Sequence, residues 1–175
     1  MPFARRITRY IAVDLGDRRT GLAVADSQTR VASPWKTLEV PLAHEDGAKL
    51  IREIERTVLR DYGGSSALEI VVGLPLHLDG RESDRSKIAR TFADRLAGAL
   101  GLPVHLADER LTSKQADWAM GQSGLTHLQK KRRRDAVAAA ALLQGFLDRT
   151  QEFQSEHGNT DAAHPKDELD PKPGD

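Results

Sequence analysis

Two short apolar runs, Tyr10 to Leu15 and Thr20 to Asp26, stand four residues apart across Gly16-Asp17-Arg18-Arg19, which commits the start of the chain to a β-hairpin. A lone hairpin is not stable in water, so further strands or helices must cover it. The rest of the sequence supplies them in alternation. A third strand is expected over Trp35 to Val40. Glu45 to Arg60 then sets Ile51, Ile54 and Val58 at helical spacing, and Gly63-Gly64-Ser65-Ser66 breaks the pattern before a strand at Leu68 to Val72. From Ser83 to Leu100, Ile88, Phe92, Leu96 and Leu100 recur every four residues, predicting one apolar stripe that packs back on the sheet. Pro103 to Ala107 reads as the next strand. Thr112 and Gln115 form a capping box for a short helix to about Met120, and a last helix is expected over Lys131 to Leu147. Strands interleaved with helices in this way predict an α/β fold, with a hairpin edge mixed into an otherwise parallel sheet.

Composition limits the chemistry. With no cysteine, the 175-residue chain has neither disulfides nor a thiolate to offer, which leaves carboxylates and histidines as its reactive groups and suits a reducing cytoplasm. Its longest apolar run, Ala136 to Leu143, is far shorter than the ~18 residues a membrane span needs, and the N-terminus lacks the apolar core of a signal peptide. A cytoplasmic protein with no membrane partner is expected. The net charge of zero conceals a division: residues 1–150 carry 24 basic and 19 acidic side chains, residues 151–175 carry 2 and 7. Phe153 and Leu169 are the only large apolar side chains in that last segment, which also holds three prolines. It is therefore expected to be an acidic, disordered tail behind a single domain over 1–150.

Three acidic positions carry the functional signal. Asp14 ends the apolar run Ile11-Ala12-Val13, where a carboxylate is costly to bury unless hydrogen bonds, a cation or a metal ion meet it; a strand-end cap on the turn at Gly16 is the competing explanation. The strand that ends at Ala107 runs into Asp108-Glu109-Arg110. Strand alternation sends Asp108 and Glu109 to opposite faces, so at most one can share the face of Asp14, and periodicity does not choose between them. Asp135 is in line with Ala139, Leu142 and Phe146 at i+4, i+7 and i+11, and so falls on the buried stripe of its helix. Directly before it, Lys130, Lys131, Arg132, Arg133 and Arg134 put five cations at a helix end where the macrodipole is already positive. Local stability would not select them, whereas a patch for phosphates beside an acidic cluster explains both signs. Three carboxylates are a suitable donor set for Mg²⁺ or Mn²⁺, and ions so held can drive hydrolysis of a phosphodiester.

The chain resembles the YqgF family, a Holliday junction resolvase group also described as pre-ribosomal-RNA nucleases. The resemblance rests on Val13-Asp14-Leu15-Gly16 with Gly21 to Asp26, on Ala32-Ser33-Pro34, on Val72-Gly73-Leu74-Pro75-Leu76 with Asp79-Gly80, on Asp108-Glu109-Arg110-Leu111-Thr112-Ser113, and on Asp135-Ala136 with Ala138-Ala139. It implies a ribonuclease H-like fold with a five-stranded sheet, the first three strands antiparallel and the rest parallel, flanked by helices. It also implies Asp14, Glu109 and Asp135 as the catalytic, metal-binding acids, taking Glu109 over Asp108 by analogy. Asp17 stands where a small Thr is more usual and His77 where Asn is more usual, and the acidic tail is an addition.

Arg18 and Arg110 are further candidates for phosphate contacts, with surface ion pairs as the competing role. The loop from Gly73 to Gly80 reads as turn chemistry after a buried strand, with the competing functional reading that Gly73 lets substrate backbone come close. Aromatic residues are few, and neither Trp35 nor Trp118 sits in a stacking cluster, which favours recognition by backbone and shape. The leading expectation is a metal-dependent endonuclease on structured nucleic acid. By resemblance, the 5′ end of pre-16S rRNA, in ribosome biogenesis, is favoured over branched DNA in recombination or repair. A non-catalytic nucleic-acid-binding factor in transcription or ribosome assembly is the alternative. A kinase-like ATPase, suggested by Asp14-Leu15-Gly16 with Arg19-Thr20-Gly21, lacks the second lobe and the second Gly-rich loop that it would need.

Overall fold

A computed structural model describes residues 7–65, 67–111 and 127–157. The hairpin forms as expected: β1 (Thr8–Leu15) pairs antiparallel with β2 (Thr20–Asp26), placing Ile11 opposite Val24 and Asp14 opposite Gly21. The third strand, β3 (Ser33–Leu38), starts two residues earlier than expected and includes Pro34. It lies at the sheet edge, where a residue without an N–H is tolerated. After α1 (Ala48–Tyr62), β4 (Ala67–Leu74) pairs parallel with β1, and after α2 (Asp84–Leu100), β5 (Val104–Asp108) pairs parallel with β4. The sheet runs β3-β2-β1-β4-β5, with the expected mix of antiparallel and parallel strands. A long helix, α3 (His127–His157), crosses it.

Period-two alternation divides the sheet into two unlike faces. Ile11, Val13, Leu22, Ile70 and Val72 point to one side, where α1 and α2 cover them with Leu50, Ile54, Val58, Phe92 and Leu96. The other side is lined by small residues, Ala12, Ala23, Ala25 and Ala107 with Val71, and packs against Ala139, Ala140, Leu142, Leu143 and Leu147 of α3. Short side chains on both partners let α3 come close. At Gly21 the approach is limiting: a Cβ there would lie 1.9 Å from the carbonyl oxygen of Asp135.

Three expectations need correction. The first helix begins at Ala48, not Glu45, because Glu45, Asp46 and Gly47 all adopt positive φ (52°, 51° and 84°), which no right-handed helix accepts. In α2, the residues buried against the sheet are Ala89, Phe92, Ala93 and Leu96, whereas Ile88 is 51% exposed. A four-residue step overshoots the 3.6-residue turn, so over three steps the stripe drifts by about 120° and its first member leaves the core. The last helix is longer than Lys131 to Leu147 and continues past residue 150 to His157, into the segment expected to be disordered. The helix expected over 112–120 and residues 158–175 lie outside the described residues. Among those that are described, no helix is long and apolar enough to cross a membrane.

Gly21→Ala is expected to lower the unfolding free energy by about 3 kcal/mol, since backbone on α3 must retreat to admit the methyl group. Gly98→Ala, whose Cβ meets nothing in α2, should instead stabilise by about 0.5–1 kcal/mol. Urea denaturation of both variants checks the pair; equal midpoints would show that α3 does not press on β2.

Candidate active site

The small-residue face gathers the acids. Asp14 has the same parity as Ala12, so its side chain leaves β1 on the α3 side, next to the glycine that admits the Asp135 backbone. Glu109 follows β5 in a short 3-10 turn (Glu109–Leu111), two residues beyond Ala107. Its carboxylate fills the space that a Cβ on Gly73 would need, 2.6 Å from Oε1, beside Leu142 of α3. Gly73 therefore makes room for a side chain of this chain, rather than for substrate backbone as the sequence suggested. Asp135 projects from α3 one turn before the buried Ala139 and two before the buried Leu142, as its spacing predicted.

Charge links the acids pairwise through Asp14. The Asp14 carboxyl is pushed up to about 6, first by loss of solvent and then by the charge of Asp135, with Arg85 acting in the opposite direction. Glu109 is pushed up to about 7, again first by burial and then by Asp14, with Arg85 opposing and Asp108 adding a smaller push. Asp14 is thus the hub, sensing Asp135 on one side and sensed by Glu109 on the other. Asp108 behaves differently. Arg110 donates to it from Nη2 at 2.6 Å and Nε at 3.0 Å, and this pairing holds its carboxyl below the usual range. The alternation that left two acids open is resolved physically: Asp108 forms a surface ion pair and Glu109 joins the cluster.

The expected cations are distributed unevenly. Arg110 is committed within the chain: besides Asp108, its Nη1 donates to the carbonyls of Leu78 (3.1 Å) and His77 (3.4 Å), clasping the loop after β4. Arg18 is exposed in the hairpin turn, and Arg134 is exposed next to Asp135. Lys130, Lys131, Arg132 and Arg133 lie in the first two turns of α3, and their side chains are outside the described residues. Two other arginines act on the acids, and neither has a local pattern that singles it out. Arg19 brings Nε to 2.9 Å from Asp135 Oδ2, although the N–H does not align, and Oδ2 is left buried without a hydrogen bond. Arg85, in the first turn of α2, donates from Nη2 to Asp17 Oδ1 at 3.1 Å.

Asp14, Glu109 and Asp135 offer hard oxygen donors, and Asp135 Oδ2, buried and without an aligned hydrogen bond among the described residues, is the kind of atom that a divalent cation satisfies. Among the described residues, no three carboxylate or imidazole groups are drawn together tightly enough to form a finished metal cage.

Comparison with known proteins follows the same line. Residues 8–149 match the family described as RuvX, Holliday junction resolvase. A protein of Anaeromyxobacter dehalogenans (strain 2CP-1) named "Putative pre-16S rRNA nuclease" is 45% identical over 141 residues, covering 81% of this chain and 97% of that protein. One of the same name from Chloroflexus aurantiacus (strain J-10-fl) is 37% identical over 139 residues, covering 79% and 85%. Among solved structures, T. thermophilus RuvC in complex with Holliday junction substrate superposes with a TM-score of 0.50 at 17% identity, covering 82% of this chain and 96% of that one. That likeness identifies the ribonuclease H-like fold.

The raised carboxyls have a consequence for stability. Between the ordinary carboxylate range near 4 and values of about 6 to 7, the folded chain retains protons that the unfolded chain has released, so stability falls as pH rises through that window. Asp14→Asn removes the hub charge. It is expected to flatten this slope and to raise the unfolding free energy at pH 8 by roughly 1–3 kcal/mol. Denaturation at pH 5 and pH 8 measures it; a variant no more stable than the parent at pH 8 would mean that Asp14 is not crowded.

Proposed function

The chain belongs to the RuvX Holliday junction resolvase family, and on that premise we propose that it is a divalent-metal-dependent endonuclease that hydrolyses phosphodiester bonds in structured nucleic acid, with precursor 16S ribosomal RNA as its substrate. The observation that carries this reading is the convergence of Asp14, Glu109 and Asp135 on one face of the sheet, with Asp14 raised by burial and Asp135, and Glu109 by burial and Asp14. Such crowding is relieved when a dication lets all the carboxylates ionise together. Asp14, Glu109 and Asp135 would hold Mg²⁺ or Mn²⁺, which when bound activates water and stabilises the leaving oxygen of a phosphodiester.

The chain's own residues provide the rest. Small side chains beneath α3 hold Asp135 against the hairpin, and Gly73 holds the Glu109 carboxylate against Leu142, so the acids are presented from backbone that cannot drift. Arg110 fixes the loop from Pro75 to Gly80 beside them. Arg18 in the hairpin turn and Arg134 beside Asp135 are exposed to meet phosphates, and Lys130, Lys131, Arg132 and Arg133 extend that charge along the start of α3. RNA is favoured by the names of the relatives described above. A four-way DNA junction is the second reading, from the family description, with the same acids acting on a different backbone.

The test is cleavage of a pre-16S rRNA fragment and of a four-way DNA junction by the full chain in Mg²⁺ or Mn²⁺, beside Asp14→Asn and Glu109→Gln. The RNA is expected to be cut, at least ~100-fold more slowly by either variant. Cutting of the junction alone transfers the reading to DNA, and undiminished cutting by both variants rejects the site. Replacing Lys130, Lys131, Arg132, Arg133 and Arg134 together with alanine is expected to flatten the slope of log affinity against log salt by about 0.7–0.9 for each phosphate that is no longer neutralised. An unchanged slope would exclude that segment from substrate binding.

A further inference from the structure

Arg19 is the last residue of the hairpin turn and could point into solvent. Instead its side chain is about seven-tenths covered and lies over Asp135, with Nε 2.9 Å from Oδ2. The contact is one of charge without a matching hydrogen bond: the N–H does not point at the oxygen, and Oδ2, sealed from solvent, has no other donor among the described residues. A carboxylate that meets arginine in its strongest arrangement takes two parallel hydrogen bonds. Here the cation shields Asp135 without satisfying it. Gly16, with no Cβ to strike the Arg19 carbonyl 2.4 Å away, and Gly21, under the Asp135 carbonyl, fix the two backbones that bring this pair together.

The other arginines near the acids show what a fixed one looks like. Arg110 donates to both oxygens of Asp108 and to two backbone carbonyls, so moving it would break several hydrogen bonds at once. Arg85 makes an aligned hydrogen bond to Asp17. Arg19 touches one of the acids directly, is held less completely than Arg110, and sits at the mouth of the hairpin with solvent beside it.

We propose that Arg19 is a phosphate-binding residue stored on Asp135. In the free protein it stands in for the divalent ion; when the ion arrives it gives up Oδ2, and its guanidinium turns to a non-bridging phosphate oxygen of the nucleic-acid backbone next to the site. This inference rests on the metal-dependent nuclease reading and adds to it an order of events: metal loading releases the arginine that grips the substrate. Planar guanidinium suits the second role, since its forked donors match phosphate oxygens that a single misaligned Nε contact leaves them free to reach.

The experiment is a Mn²⁺ titration of the full chain without nucleic acid, followed by the electron paramagnetic resonance signal of free Mn²⁺, with Asp14→Asn as the baseline for ions bound elsewhere. Arg19→Gln is expected to bind Mn²⁺ several-fold more tightly than the parent, because a competing cation is gone, with Arg19→Lys between the two. In cleavage assays, Arg19→Gln is expected to raise KM and to reduce the salt dependence of kcat/KM by about one phosphate contact. Mn²⁺ affinity that is unchanged or weakened in Arg19→Gln would overturn the proposal and leave Arg19 as a brace for Asp135. Tighter Mn²⁺ binding with an unchanged salt slope would overturn it as well, by denying the phosphate contact. If the parent binds no more Mn²⁺ than Asp14→Asn, the metal-site reading fails, and this proposal with it. A thermal melt without metal confirms that each variant is folded before it is compared.

Discussion

The closeness of α3 to the sheet is the constraint from which the rest follows. An alanine-lined sheet face, an alanine-rich helix and a glycine at position 21 allow the Asp135 backbone to rest on β2, and that contact brings its carboxylate beside the strand end that carries Asp14. Any larger residue at the contact would lift the helix and pull the acids apart. Packing and chemistry are therefore one design here: the side of the sheet with the smaller side chains is the side that carries the charge.

Crowded carboxylates are a poor choice for stability and a good one for function. Asp14 and Glu109 resist ionising in the folded chain, which means that the fold bears their repulsion until something positive relieves it. Proteins commonly concentrate such cost at the positions where they act. Two arginines moderate it. Arg85 acts at a distance on both raised acids, while Arg19 touches Asp135, and each reaches the cluster from a different element, α2 and the hairpin turn.

Much of this could be read in the sequence, and what could not has physical reasons. The hairpin, the strand–helix alternation and the placement of Asp135 in line with Ala139 and Leu142 all follow from local periodicity. The choice of Glu109 over Asp108 came from family resemblance, yet a physical signal was available: Ala12 and Ala107 are the small members of their strands, and Asp14 and Glu109 lie two residues beyond them on the same faces. Using it would have required knowing that the small-residue face receives α3. Arg19 and Arg85 had no such signal, because their contacts join segments more than sixty residues apart. Gly73 was recognised as a place of close approach, but the approaching group is Glu109. The exposed Ile88 shows the limit of counting by four on a helix that turns every 3.6 residues.

Mn²⁺-induced line broadening in the amide NMR spectrum of the full chain tests the central claim most directly, because a paramagnetic ion erases signals according to distance alone. The account predicts that the amides of Asp14, Gly73, Glu109 and Asp135 vanish first and together, at substoichiometric Mn²⁺. Broadening confined to the acidic residues after 157, with those four amides intact, would contradict it.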